Sequence, residues 1–309
     1  MLRVRYGLHA AEFARVRAAV RIVALALLTL AVAGCGPAPL ATWVIHSEYE
    51  GSPVYLWTNT RVAGAIDGLT WRGVQFIDSY DHGRQLQSAV QMDGNGECYN
   101  PTQAGSRRDD GGSGSTSRLL EARAEGNRLY TRTQMAFWLA PGERSAHCGG
   151  KAGIAKNAAP LSDVVIESTA TLSANVIRHD VAYILPRAYE SAVFEALTAY
   201  TPIRFSTIYG VNLATGDLDS IGAGPGEQAK PVILSTADGA YALGVYSPRT
   251  PEFRGFGRWL FPDVWGPTAK WNCVFRSRKV AAGRHAFTCY SVFGSLEQVR
   301  ATILRLHQS

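Results

Sequence analysis

The sequence predicts an all-β protein, a large antiparallel β-sandwich closed by one C-terminal helix. Three observations predict it. Strand-length runs, apolar or alternating, recur along residues 42–309. Turns rich in Gly, Asn and Asp bound them, and those residues supply the positive φ that tight turns need. Nowhere do strands and helices alternate as a parallel βαβ fold requires.

In chain order the expected strands are Trp43–Tyr49, Val54–Thr58, Val74–Ser79, Gln85–Met92, Leu119–Ala124 and Arg128–Leu139. After these come Val164–Leu172, Asn175–Leu185, Ile203–Asn212, Pro231–Thr236 and Ala240–Tyr246. The run from Arg128 is the clearest: Leu129, Thr131, Thr133, Met135 and Phe137 occupy one face, and Tyr130, Arg132, Gln134 and Trp138 the other. Period-2 alternation of this kind marks a half-buried antiparallel strand. Gly105–Ser117 is a low-complexity loop within the domain, because strands continue on both sides. Tyr189–Tyr200 reads as one or two helical turns. Ser295–His307 reads as a full helix, with Ser295 as cap, Gln298 three residues on, and Val299, Ile303 and Leu306 at helical spacing.

The first 34 residues read as a targeting segment. Arg3, Arg5, Arg15, Arg17 and Arg21 form a basic region, and Ile22–Val32 is uninterrupted apolar sequence. That run is about half of the ~20 residues a spanning helix needs. Val32-Ala33-Gly34-Cys35 resembles the lipobox of bacterial lipoproteins, which implies cleavage after Gly34 and lipidation, with palmitate among the acyl groups, at Cys35. Residues 35–41 then form a tether to a single domain at 42–309. The whole chain has 31 basic and 25 acidic residues, net +6. The leader holds five of the former and one of the latter, so the remainder carries only +2. No clustered basic stripe remains for nucleic acid. The expected location is the bacterial cell envelope, with the membrane reached through the lipid.

Four cysteines follow the leader: Cys98, Cys148, Cys273 and Cys289. An even number in an exported chain points to disulfides, and no zinc-ligand spacing is present, so no metal and no cofactor are expected. Three connectivities are open. Asn272–Val280 and His285–Phe293 read as a hairpin around Ala281-Ala282-Gly283-Arg284, which would set Cys273 opposite Cys289 and leave Cys98 with Cys148.

Two polar segments carry the candidate chemistry. In Tyr80-Asp81-His82-Gly83-Arg84-Gln85-Leu86-Gln87 a carboxylate, an imidazole and a guanidinium crowd a glycine turn. His82 beside Asp81 suits acid–base work, and Arg84 suits an anionic group; equally, Asp81 and Arg84 pair across a turn with His82 in solvent. In Gly96-Glu97-Cys98-Tyr99-Asn100-Pro101-Thr102-Gln103 a carboxylate, a phenol and two amides fall close together, a set that binds sugar hydroxyls and stacks on pyranose faces. The other reading of that segment is an Asn-Pro turn pinned by a disulfide. Trp265, Lys270, Trp271 and Asn272 form a late polar-aromatic group, of which Trp265 is a sugar-stacking candidate.

The strand pattern over residues 42–309, with the DHGRQLQ and ECYNPTQAG segments, resembles the galactose-mutarotase-like β-supersandwich superfamily. The resemblance implies chemistry on carbohydrate: epimerase, polysaccharide lyase or glycoside hydrolase. Epimerases of that group pair a His with a late strand-borne Glu. His82 is the His candidate, but no late strand-borne Glu matches, since Glu297 falls in the expected terminal helix.

Three functions follow. The first is a carbohydrate-active lipoprotein, hydrolase or lyase, with Asp81, His82 and Glu97 catalytic and Arg84, Gln87, Tyr99, Asn100, Gln103 and Trp265 holding the glycan. Glycoside cleavage needs two carboxylates flanking the bond. The second is a non-catalytic glycan-binding lipoprotein, and the third a structural envelope protein.

Overall fold

The computed structural model describes residues 40–248, 250, 252–262 and 266–309. Cys35 and Trp265 lie outside the described residues. Every strand pairing is antiparallel. Residues Thr42–Tyr49, Ser52–Asn59, Ile66–Trp71 and Val74–Gln75 pair in chain order as a four-stranded sheet. A second, fifteen-stranded sheet forms the body. Its central order runs Gly283–Gly294, Val176–Leu185, Leu161–Ser173, Arg128–Phe137, Pro101–Thr102, Gln87–Met92, Tyr189–Pro202, Thr268–Val280, Phe253–Phe261.

The two halves of the long sheet face each other across an aromatic core. Phe275 and Phe287 lie 4.4 Å apart between ring centroids although their strands are not ladder partners, and Phe194 lies 4.8 Å from Phe287. The small sheet adds Trp71, whose ring meets Phe293 at 6.2 Å and whose indole N–H donates to the Tyr49 carbonyl at 3.1 Å. The all-β class with one terminal helix is thus as expected. Leu296–Gln308 is that helix, opened by the reciprocal Ser295–Gln298 cap. It seats Val299 and Ile303 against Gly244, where a β-carbon would come within 2.6 Å of Val299. Glycine there lets the helix approach the sheet closely.

Two expectations are corrected. Tyr189–Pro202 is not helical but a fourteen-residue strand flanked on both sides by partners, Gln87–Met92 and Thr268–Val280. Its β-branched and aromatic residues pack between neighbours, and tertiary pairing overrides the helical spacing. Nor do Thr268–Val280 and Gly283–Gly294 pair as a hairpin. The first pairs with Tyr189–Pro202 and Phe253–Phe261, the second with Val176–Leu185 and Ala242–Tyr246. Cys273 and Cys289 are bonded nonetheless, because they meet inside the core between the two halves of the sheet. Cys98 is bonded to Cys148. Two disulfides indicate an oxidising, extracytoplasmic setting for the folded domain.

Candidate functional site

A cleft of about 670 Å³ opens on the face of the sheet where Gln87–Met92, Tyr189–Pro202, Thr268–Val280 and Phe253–Phe261 lie side by side. The ladder register sets its floor. Tyr200 lies opposite Lys270, and Lys270 opposite Trp259, so one row crosses three strands. Thr198 lies opposite Asn272, and Asn272 opposite Gly257, in the next row. Gly257 has a specific reason to be glycine: a β-carbon there would come within 2.2 Å of the Trp259 ring and 2.4 Å of Asn272 Oδ1. Its backbone N–H instead donates to that oxygen at 2.8 Å.

Glu195 joins the row through a β-bulge. The pairing of Tyr189–Pro202 shifts register around Ala196 on both of its sides. In a regular strand residues 195 and 198 would point to opposite faces; the extra residue turns both toward the cleft. The bulge carbonyls lose ladder partners and gain side-chain ones. The Tyr183 hydroxyl lies 2.9 Å from the Glu195 carbonyl, and Ser88 Oγ donates to the Ala196 carbonyl at 2.7 Å.

The bulge delivers Glu195 to Lys270. Nζ lies 3.2 Å from Oε2, and the two side chains are only 13% and 12% exposed. Thr198 Oγ1 donates to Oε2 at 2.9 Å, Gln91 donates to Oε1 at 3.3 Å, and Asn272 also bonds the carboxylate. Burial alone would push the Glu195 carboxyl up. Lys270, with Asn272 and Thr198, outweighs it, so the group lies below the ordinary glutamate range and is firmly anionic. The same balance holds Lys270 above the ordinary lysine range: burial disfavours its charge, and Glu195 more than restores it. The ammonium sits 4.7 Å from the Trp259 ring centroid and 5.3 Å from that of Tyr200. Burial raises the Tyr200 phenol, which stays neutral beside it.

The second wall is built around a disulfide. Gly96–Tyr99 is a short 3-10 turn carrying Glu97 and Cys98, and Cys98 ties it to the segment holding Ala146, His147, Gly149 and Gly150. The Glu97 N–H donates to the His147 carbonyl at 3.0 Å, and Ser145 Oγ donates to the Glu97 carboxylate. Asn100 follows the turn. It is nine-tenths buried in the cleft wall, and among the described residues its side-chain oxygen has no partner. Trp138, whose backbone N–H donates to the Asn100 carbonyl at 2.8 Å, completes this wall.

Of the described residues proposed from sequence, the cleft therefore gathers Glu97, Asn100 and Gln87, and not Asp81, His82, Arg84, Tyr99 or Gln103. Gln87 is tied down, donating to the Gly83 carbonyl at 2.7 Å and accepting from the Ala104 N–H at 2.9 Å. His82 is buried away from the cleft, with Nδ1 2.6 Å from the Asp110 carbonyl and Nε2 2.8 Å from that of Arg61. Both ring nitrogens are occupied by backbone, which leaves none for a substrate. Asp81 pairs with Arg84 at 3.2 Å, and Arg84 also reaches Asp78 and the Gly266 carbonyl. Burial pushes the Asp81 carboxyl up, Arg84 opposes this, and Asp78 and Asp110 add to the rise. These contacts brace the turn, and neither Asp81 nor Arg84 lines the cleft. Tyr99 packs on Phe137 at 4.8 Å and bonds Arg187, outside the cleft lining. Gln103 is buried, bonded to the Ser88 N–H and the Gly64 carbonyl. The structure thus does not bring Asp81 and His82 together with Glu97, which shares the cleft with Glu195 and Lys270. Glu195 lay in the segment read as helix, which hid its register with Lys270.

No family model and no curated protein matches the chain. Among solved structures, it is similar to the galactose mutarotase related enzyme from Lactobacillus acidophilus, at 8% identity and a TM-score of 0.46, over 83% of this chain and 98% of that one. It is also similar to the heparan sulfate lyase from Pedobacter heparinus, at 8% identity and TM-score 0.44, over 82% and 35% of the two chains. The α-galactosidase from Lactobacillus brevis gives 9% identity and TM-score 0.42, over 82% and 39%. These likenesses concern the course of the chain.

Proposed function

We propose that this protein is an extracytoplasmic carbohydrate-binding protein that holds a sugar in the Glu195–Lys270 cleft. One observation carries the reading: Trp138, Tyr200, Trp259 and Phe261 line a single 670 Å³ hollow together with Glu97, Asn100 and the Glu195–Lys270 pair. A pyranose presents apolar C–H faces and a polar rim, and such a site offers a partner for each. The volume lies in the range of small-ligand sites, ~300–1,000 Å³. The lipobox-like sequence ending at Cys35 supports attachment of the domain to the envelope membrane by a lipid; the mass of the mature N-terminal peptide tests that attachment.

Glycan-panel binding followed by calorimetry tests the cleft. Sugar binding that falls at least tenfold in Trp259→Ala supports the proposal, and the absence of any glycan ligand across the panel overturns it. A second reading, glycoside hydrolysis, is favoured by the presence of two carboxylates in the cleft. Glu195, held anionic, would serve as nucleophile or base, and Glu97 as acid. New reducing ends released from a bound glycan, and lost in Glu195→Gln and Glu97→Gln, would support it; binding with no product at long times leaves the protein a binder.

A further inference from the structure

The charged groups that line the cleft leave one carboxylate unmatched. Its described lining contains no arginine, and its one lysine is already matched to Glu195 at 3.2 Å. Glu195 in turn is satisfied by Lys270, Thr198, Gln91 and Asn272. Glu97 differs. Among the described residues its one side-chain donor is a neutral hydroxyl, Ser145 Oγ, and no Lys or Arg pairs with it. Just after the same turn comes Asn100, nine-tenths buried with a side-chain oxygen that has no partner among the described residues. An orphaned buried acceptor is costly; this oxygen is itself closed to solvent, so a ligand donor meets it only when the Asn100 amide turns toward the cleft. Trp138, fixed to the Asn100 backbone, adds an aromatic surface.

A carboxylate without a counter-charge, an amide oxygen without a donor and an indole together suit a cation that carries N–H groups. They disfavour uronates and sulfated sugars, which bring only acceptors and negative charge. We infer that the ligand is an amino sugar, its ammonium group held by Glu97 at the Gly96–Tyr99 wall. This rests on the sugar-binding reading and narrows it to one class.

Calorimetry on four tetrasaccharides with a common β-1,4 gluco backbone tests the inference: glucosamine, N-acetylglucosamine, glucose and glucuronic acid. At one fixed pH the titratable groups facing the ligand, Glu97, His147, Glu195, Tyr200 and Lys270, are common to every arm. The glucosamine tetramer is expected to bind about tenfold tighter than its N-acetylated counterpart, as a charge-assisted bond provides. The glucuronate is expected to bind weakest. Raising the salt concentration shrinks the preference on the unaltered protein. Glu97→Gln brings the glucosamine and N-acetylglucosamine arms within about twofold of each other. Equal affinities, a preference unmoved by salt, or tightest binding of the glucuronate would overturn the inference and leave the sugar-binding reading standing. No binding by any of the four also overturns it, whereas the broader panel decides the sugar-binding reading separately.

Discussion

Lys270 Nζ lies 3.2 Å from Glu195 Oε2, in a pair formed by strands that a bulge at Ala196 has brought into this alignment. Both side chains are largely withdrawn from water, so each charge depends on the other. Removing one partner leaves an uncompensated charge. Glu195→Gln or Lys270→Met alone is expected to cost about 3 kcal/mol of stability. The double variant should recover most of that loss, because the solvation penalty disappears with both charges. Denaturant melts of the four members of the cycle check this. Additive single costs would mean that the pair is not coupled.

The pair also sets a pH window. Glu195 is depressed on folding, so its contribution to stability is present above the ordinary glutamate pKa and is lost as pH falls through the lowered folded value. Lys270 is raised, so its contribution is present below the ordinary lysine pKa and is lost only as pH rises through the raised folded value. Cleft occupancy by a neutral sugar should hold between those limits and fall at both. A binding profile that drops steeply near neutrality would contradict this assignment.

Gly257 is where a single methyl group separates cleft geometry from fold stability. A β-carbon at 257 meets the Trp259 ring at 2.2 Å and Asn272 Oδ1 at 2.4 Å, both within the cleft floor. Gly257→Ala is expected to push the indole out of its place over Lys270 and weaken sugar binding about tenfold, comparable to losing an aromatic contact of ~1.5 kcal/mol. The folded state persists if the ring swings outward. Unchanged affinity with a lower melting temperature would place the clash elsewhere.

The fold class was legible because it depends on local signals. Alternation along Arg128–Phe137, turn residues between strands, and the Ser295–Gln298 cap each act over a few residues, and each element forms as its pattern predicts. The site was less legible because it depends on pairing between distant segments. Glu195 and Lys270 are 75 residues apart, and only the Tyr189–Pro202 ladder reveals that they meet. Asp81, His82 and Arg84 lie outside the cleft lining for a related reason: the same residue types in a tight turn serve equally well to satisfy its buried backbone. The Cys273–Cys289 bond was inferred from a hairpin that does not exist. Two strands joined by a short connection bring their cysteines together whether they pair edge to edge or face each other across a core.

His179 gives the fold an acid limit of its own. It is fully buried with Nε2 2.8 Å from Ser291 Oγ, and burial drives its pKa down to about 3. The unfolded chain takes up that proton near the ordinary histidine value, ~6.5, while the folded protein refuses it. Stability is therefore complete above that value and declines as pH falls from it toward 3, by about 1.4 kcal/mol per pH unit from this one group. His179→Gln removes the titration while retaining a side-chain amide for Ser291. Melts from pH 7 to pH 4 should show a shallower decline in the variant, even if it starts from lower stability. Parallel slopes in the two proteins would assign the acid limit to the carboxylates.

The two disulfides should separate under mutation, because they brace different things. Cys273–Cys289 joins the halves of the core, whereas Cys98–Cys148 joins the two segments that make the Glu97 wall. Each closes a loop, of 50 and 16 residues in sequence separation. Loop-closure entropy alone gives about 4 kcal/mol for the longer and about 3 for the shorter. Stability by itself would therefore rank Cys98–Cys148 as the more important. Ligand binding supplies the sharper contrast. In Cys98→Ser/Cys148→Ser the wall keeps the Glu97–His147 backbone bond but loses its covalent tie, so sugar affinity should fall even at temperatures where the protein remains folded. In Cys273→Ser/Cys289→Ser the wall is intact, so affinity should follow the folded fraction alone. Calorimetry well below each variant's melting temperature measures both, and equal losses would mean that the cleft wall does not rely on its own disulfide.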